Sequence, residues 1–192
     1  LLKVAAERSL TKGQVMSPPP GAYDEFCARF PWTETDDQLR AIDDTMADLV
    51  SGQAMDRLIC GDVGFGKTEV AMRAAFVTAS NGFQVAVVVP TTLLAFQHYQ
   101  TFKDRFAGLP VTVRHLSRLV SPKDSQQVKD GLTDGSVDIV IGTHGLLAES
   151  IEFENLGLLV IDEEQHFGVG QKERLKELRS DLHILTLTAT PI

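Results

Sequence analysis

From residue 55 onward the chain alternates short, unbroken apolar runs with longer segments of mixed polarity. The runs Arg57–Cys60, Gln84–Val89, Val111–His115, Val137–Ile141, Gly157–Ile161 and His183–Leu187 have the length of strands. Their continuous hydrophobicity predicts strands buried on both faces. Between them, Lys67–Ser80, Thr92–Phe106, Lys123–Leu132 and Gly170–Leu178 read as helices. The repeated order of strand, glycine turn and helix predicts an α/β fold, with one parallel sheet covered by helices on both sides.

The first 54 residues follow another pattern. Residues 1–15 carry apolar and charged positions at helical spacing, as in the tail of a helix, and Ser17-Pro18-Pro19-Pro20-Gly21 breaks it. This predicts an N-terminal helix and proline-rich linker over 1–21, and a main domain over 22–192. A short helix is expected from Ala22 to Phe30, interrupted by Pro31-Trp32-Thr33. Thr35 then caps a helix from Asp36 to about Leu49, with Asp36 and Asp37 where the helix dipole favours acids.

Composition adds further constraints. With 192 residues and 43% hydrophobic side chains the chain can build one real core, and no apolar run is long enough to span a membrane. No secretory signal opens the chain, so a cytoplasmic protein is expected. Starting at Leu1 and stopping at Pro191-Ile192, it looks like a segment of something longer. Cys27 and Cys60 lack metal-ligand spacing and read as reduced thiols, with Cys60 in the core at the end of an apolar run. The net charge of -8 argues against nucleic-acid binding. Between Lys103 and Lys129, however, six basic residues face two acidic ones, which leaves room for a locally basic surface.

Two motifs carry chemistry. Gly61-Asp62-Val63-Gly64-Phe65-Gly66-Lys67-Thr68 fits the phosphate-binding loop G-x-x-x-x-G-K-[ST] and lies between a predicted strand and a predicted helix. Glycines let the backbone wrap a phosphate chain, and the helix N-terminus adds partial positive charge. Lys67 would neutralise β- and γ-phosphate oxygens, and Thr68 would place its hydroxyl on Mg2+. The second motif is an apolar strand that delivers Asp162-Glu163-Glu164-Gln165 at its carboxyl end, where open parallel sheets bind ligands. Asp162 would join the Mg2+ shell, and Glu163 would orient and deprotonate an attacking water. The implied cofactors are ATP and Mg2+.

The order of blocks resembles helicase superfamily 2. The residues concerned are 61–76 (GDVGFGKTEVAMRAAF), 89–98 (VPTTLLAFQH), 141–147 (IGTHGLL), 160–169 (VIDEEQHFGV) and 185–192 (LTLTATPI). Within that superfamily the chain is most similar to the motors of the bacterial transcription-repair coupling factors. The resemblance implies a RecA-like first motor lobe, with Phe30 and Gln38 reading adenine and the loop residues through Glu69 forming the nucleotide site. It further implies double-stranded DNA contacts at Thr91, Thr92, Arg118, Thr143 and His144. Gln165, Thr188 and Thr190 would couple nucleotide state to DNA grip. RNA polymerase and excision-repair proteins would be partners through other domains. Gly145, His166, Phe96 and Leu119 depart from the family pattern, and a missing cation at Gly145 implies weaker phosphate contacts. A fork-remodelling helicase and a nucleotide-binding interaction module remain alternatives.

Overall fold

In the computed structural model, which describes residues 11–62, 64–168, 170 and 181–189, the six apolar runs form one sheet. Its strands are β1 (Asp56–Cys60), β2 (Gln84–Val88), β3 (Val113–Leu116), β4 (Ile139–Gly142), β5 (Leu156–Asp162) and β6 (His183–Thr188). They pair in parallel throughout, in the order β1-β6-β5-β2-β4-β3. The helices are α1 (Ala22–Ala28), α2 (Asp36–Val50), α3 (Lys67–Ser80), α4 (Thr92–Arg105) and α5 (Pro122–Thr133). Single 3-10 turns follow β4 (His144–Leu147) and β5 (Glu164–His166). Of the helix expected over Gly170–Leu178, residues 171–178 lie outside the described residues.

Side chains of successive strand residues point to opposite faces, and the core divides accordingly. Val85, Val87, Leu158 and Val160 pack with Phe76 of α3 and Phe102 of α4. Ala86, Val88, Leu159 and Ile161 pack on the other side with Val128 and Leu132 of α5. On the first side Phe26 of α1 stacks on Phe76, ring centroids 4.4 Å apart, and lies 5.0 Å from Phe106. This aromatic cluster fixes α1 to α3 and to the end of α4.

Residues 11–15 are not helical, and residues 1–10 of the expected N-terminal helix lie outside the described residues. Residues 11–16 instead lie along the domain: Gly13 N–H donates to Gly52 O at 3.0 Å and Met16 N–H to Leu49 O at 2.9 Å. Met16 is fully buried. His183, also buried, accepts from Met55 N–H at Nδ1 (3.0 Å), so its Nε2 carries the proton and donates to Gln14 O at 2.7 Å. The prolines lead directly into α1, where Tyr23 N–H donates to Pro19 O at 3.0 Å.

Cys60 is exposed, not a core thiol. The reason is topological: β1 is an edge strand, and of its residues Ile59 is buried while Asp56, Leu58 and Cys60 are solvent-facing or nearly so. Helix α1 ends two residues before the expected Phe30. Helix α5 begins one residue early because Ser121 caps it and Pro122 occupies the first helical position, where its missing N–H costs nothing.

Candidate active site

The carboxyl ends of β1, β5, β6, β2 and β4 lie along one edge of the sheet, and both motifs open there. After Cys60 the chain turns through Gly61–Gly66 into α3, whose first residue is Lys67. Gly66 is the N-cap, with φ 76, a left-handed conformation that glycine adopts without steric cost. A Cβ there would also lie 2.0 Å from Gln38 Nε2. Lys67 Nζ donates to the carbonyls of Gly61 and of Asp62, the latter at 3.0 Å. Asp62 is exposed, Gly64 has φ 88, and Val63 lies outside the described residues.

Gln38 is buried against this loop. Its Nε2 donates to Phe65 O at 2.7 Å, and its Oε1 accepts from Thr35 N–H at 2.8 Å. With Thr35 Oγ1 accepting from Gln38 N–H this completes a capping box at the start of α2. A cleft of about 590 Å3 opens between Phe30, Trp32, Gln38, Phe65, Thr68 and Met72. The structure therefore gathers the expected base-reading pair and the phosphate loop around one cavity. Trp32, which no motif in the sequence marks, stands at its exposed lip.

Glu69 borders the cleft, but its carboxylate is committed elsewhere. Oε1 accepts from Arg73 Nε at 2.8 Å and from Arg105 Nη2 at 2.9 Å, and all three side chains are at most 8% exposed. Arg73 also donates to Glu34 and lies 5.8 Å from the Phe30 ring centroid. Arg105 sits 3.9 Å over the Phe26 ring. Burial works against the charge on Arg73, but hydrogen bonds to Glu34 and Glu69 overcome it and hold the guanidinium above its usual range. The hydrogen bond from Arg73 in turn holds Glu34 below the usual carboxylate range. This ion cluster ties the segment carrying Phe30 and Gln38 to the helix of the phosphate loop.

Asp162 ends β5, the strand between β2 and β6. Its Oδ2 lies 3.0 Å from His98 Nε2 of α4. The next residue, Glu163, is the one non-glycine with positive φ (55) among the described residues. The turn aims its carboxylate at β6: Oε1 accepts from Ala189 N–H at 3.0 Å. Gln165 Nε2 donates to Glu163 Oε2, and Thr188 Oγ1 donates to Gln165 Oε1 at 3.2 Å. Gln165 and Thr188, two of the three residues expected to couple nucleotide state to DNA grip, thus share one hydrogen-bonded chain with Glu163, and Thr190 lies outside the described residues.

Among the described residues no group of three His, Cys, Asp or Glu side chains could cage a metal. Mg2+ takes one or two protein oxygens and completes its shell with water and phosphate. Thr68 and Asp162 supply a donor set of that kind.

The expected DNA contacts line the same edge. Thr91 caps α4, its Oγ1 accepting from Leu94 N–H at 3.2 Å, and Thr92 is the first helical residue. Thr143 and His144 open the turn after β4, beside the end of β2, where Val89 N–H donates to Gly142 O at 3.0 Å. Arg118, His144, Gly145 and His166 are exposed. Among the described residues no helix is long and apolar enough to cross a membrane.

The model of the DEAD/DEAH box helicases matches residues 35–192, the span from the capping box to the last residue. The chain belongs to the DEAD/DEAH box helicase family. It is 56% identical over all of its length to the transcription-repair-coupling factor of Haemophilus influenzae. It is 54% identical over all of its length to that of Rickettsia bellii. It spans 17% and 18% of those two proteins. Among solved structures, RecG bound to a three-way DNA junction superposes with a TM-score of 0.86 at 36% identity, over 99% of this chain and 25% of that one. The fold of this helicase-family chain is thus the RecA-like α/β domain. Its sequence stands nearer to these coupling factors than to the junction-bound helicase.

Proposed function

We propose that the chain is the ATP-binding first lobe of a superfamily 2 translocase that couples ATP hydrolysis to movement along double-stranded DNA. The observation that supports this best is the meeting, on one sheet edge, of the phosphate loop, the Asp162–Glu163 pair and the Gln165–Thr188 bond. On binding nucleotide, Lys67 exchanges the carbonyls of Gly61 and Asp62 for phosphate oxygens. Gln38 and Phe30 hold the adenine end. Thr68 and Asp162 hold Mg2+, which neutralises phosphate charge when bound. Glu163 orients a water in line with the γ-phosphorus and accepts its proton as the bond to ADP breaks. The product state is then read through Gln165 to Thr188 and Ala189, which leave β6.

In this reading an arginine supplied by a second lobe stabilises the transition state, so the isolated 192 residues bind nucleotide and turn it over at a negligible rate. The parent protein would use the cycle to displace stalled RNA polymerase and recruit repair proteins through other domains. The similarity to transcription-repair-coupling factors supports that step.

The deciding experiment is steady-state ATP hydrolysis with and without duplex DNA, for the isolated chain and for the full natural protein, with Lys67→Ala as the blank. DNA-stimulated turnover by the full protein, and blank-level turnover by an isolated chain that still binds ADP, is the expected pair. Brisk DNA-stimulated turnover by the isolated chain would overturn the two-lobe reading. Nucleotide binding without any response to duplex DNA at low salt would favour an interaction module.

A further inference from the structure

Helix α4 begins at the Thr91–Thr92 edge and turns Ala95 and Phe102, both essentially fully buried, toward the sheet. His98 stands three residues after Ala95 and four before Phe102, so it shares that inward face. An apolar residue would serve packing there. The imidazole instead reaches out of α4 to the end of β5, its Nε2 3.0 Å from Asp162 Oδ2, with both side chains 16% exposed. An ionised carboxylate only accepts, so Nε2 carries the proton and donates. Among the described residues the bond at Oδ2 is the one hydrogen bond to the Asp162 carboxylate, and it restrains the rotation of that group. Partners of this kind orient a metal-holding carboxylate, and their loss typically costs tenfold or more in metal affinity.

The bond also has a mechanical consequence. His98 lies six residues into α4, about 9 Å along a rigid helix from Thr92. A phosphate gripped at the start of α4 would therefore shift His98 with the helix, and the Asp162 carboxylate with His98. We infer that His98 is a positioning residue that links the DNA-facing start of α4 to the Asp162 carboxylate, and so sets how well that carboxylate holds Mg2+ in response to DNA. This deepens the function proposed above and rests on it.

The test uses the full natural protein with His98→Ala and His98→Gln, the glutamine Nε2–H standing in for the imidazole donor. Calorimetric titration with ADP in EDTA and in Mg2+ reads the metal-dependent gain in affinity without any turnover. ATPase assays with and without duplex DNA read the coupling. For His98→Ala we expect unchanged ADP affinity in EDTA, a loss of about tenfold in the Mg2+-dependent gain, and a lower DNA stimulation of hydrolysis. His98→Gln should recover both to within about twofold. Wild-type values in His98→Ala would overturn the inference, as would equal damage in both variants, since that marks His98 as a packing residue. If the wild-type protein itself shows no Mg2+-dependent gain and no DNA stimulation, the proposed function falls and the inference falls with it. If wild type shows both and His98→Ala keeps both, only the role of His98 falls.

Discussion

Gln38 Nε2 donates to the carbonyl of Phe65 at 2.7 Å while its Oε1 accepts from Thr35 N–H at 2.8 Å. One amide thus closes the capping box of α2 and holds the phosphate loop. The two roles separate by mutation. Thr35→Ala removes the hydroxyl that accepts from Gln38 N–H, and should cost about 1 kcal/mol of stability, the usual value of an N-cap. It leaves the Phe65 contact in place, so ATP affinity should stay within about twofold. Gln38→Ala removes both contacts and should lower stability similarly, but also weaken ATP about tenfold, or 1.4 kcal/mol. Urea denaturation together with nucleotide titration checks the pair. Equal affinity loss in both variants would mean that the loop depends on the cap and not on Gln38.

The left-handed backbone of Glu163 makes a second prediction. A non-glycine residue at φ 55 carries strain on the order of 1 kcal/mol. Glu163→Ala and Glu163→Gly both lose the hydrogen bonds to Ala189 and Gln165, so comparing them isolates the backbone. The glycine variant should be about 1 kcal/mol more stable than the alanine variant. Both should lose at least about a hundredfold in hydrolysis by the full protein, the range for removing a general base. Alanine more stable than glycine would show that the turn is not strained.

Glu69 is the acid whose removal should hurt folding most. Glu69→Ala strips Arg105 of its carboxylate and leaves Arg73 with Glu34 alone, in a cluster at most 8% exposed around Glu69 itself. Breaking a buried pair from one side costs about 3–5 kcal/mol. The pair Arg40–Asp37 is 75% and 62% exposed, and Asp37→Ala should change stability by less than about 1 kcal/mol. Urea midpoints of the two variants, at low and high salt, provide the comparison. Only the small Asp37 effect should respond to salt.

Why some of this was legible in the sequence and some was not follows from distance along the chain. The six strands, the loop at 61–68 and the acid pair at 162–163 each rest on a contiguous pattern, and local patterns survive in a linear reading. The burial of β2 at every position also left its trace, as an unbroken apolar run. The exposure of Cys60 did not show, because hydrophobicity cannot say which strand lies at the edge. Nor did the His98–Asp162 bond, whose partners are 64 residues apart. Its only local mark was a polar residue at the spacing of an apolar helix face. The family resemblance places Glu69 with the nucleotide, yet the α3 period turns it inward to Arg73 one turn later. The sequence ran the N-terminal segment together as helix and linker, whereas Met16 and Gln14 are anchored by Leu49 and His183, far along the chain.

His115 gives the pH dependence of stability. It lies on β3, 8% exposed, stacked on the Tyr99 ring at 5.5 Å and tilted against Phe96 at 6.1 Å, and its Nε2 has no hydrogen-bond partner among the described residues. Burial pushes the imidazole below its usual value near 6.5. Below that value the unfolded chain binds a proton that the folded chain resists. Stability from this residue is therefore fully present above about pH 6.5 and declines as pH falls toward the folded-state value, with a slope of at most about 1.4 kcal/mol per pH unit. His115→Phe keeps a ring in the stack and removes the proton. Urea denaturation of both proteins from pH 8 down to pH 5 should show the wild type losing more stability than the variant, and the two curves should run parallel above pH 7. Parallel curves over the whole range would mean that His115 is solvated well enough to titrate as it does in the unfolded chain.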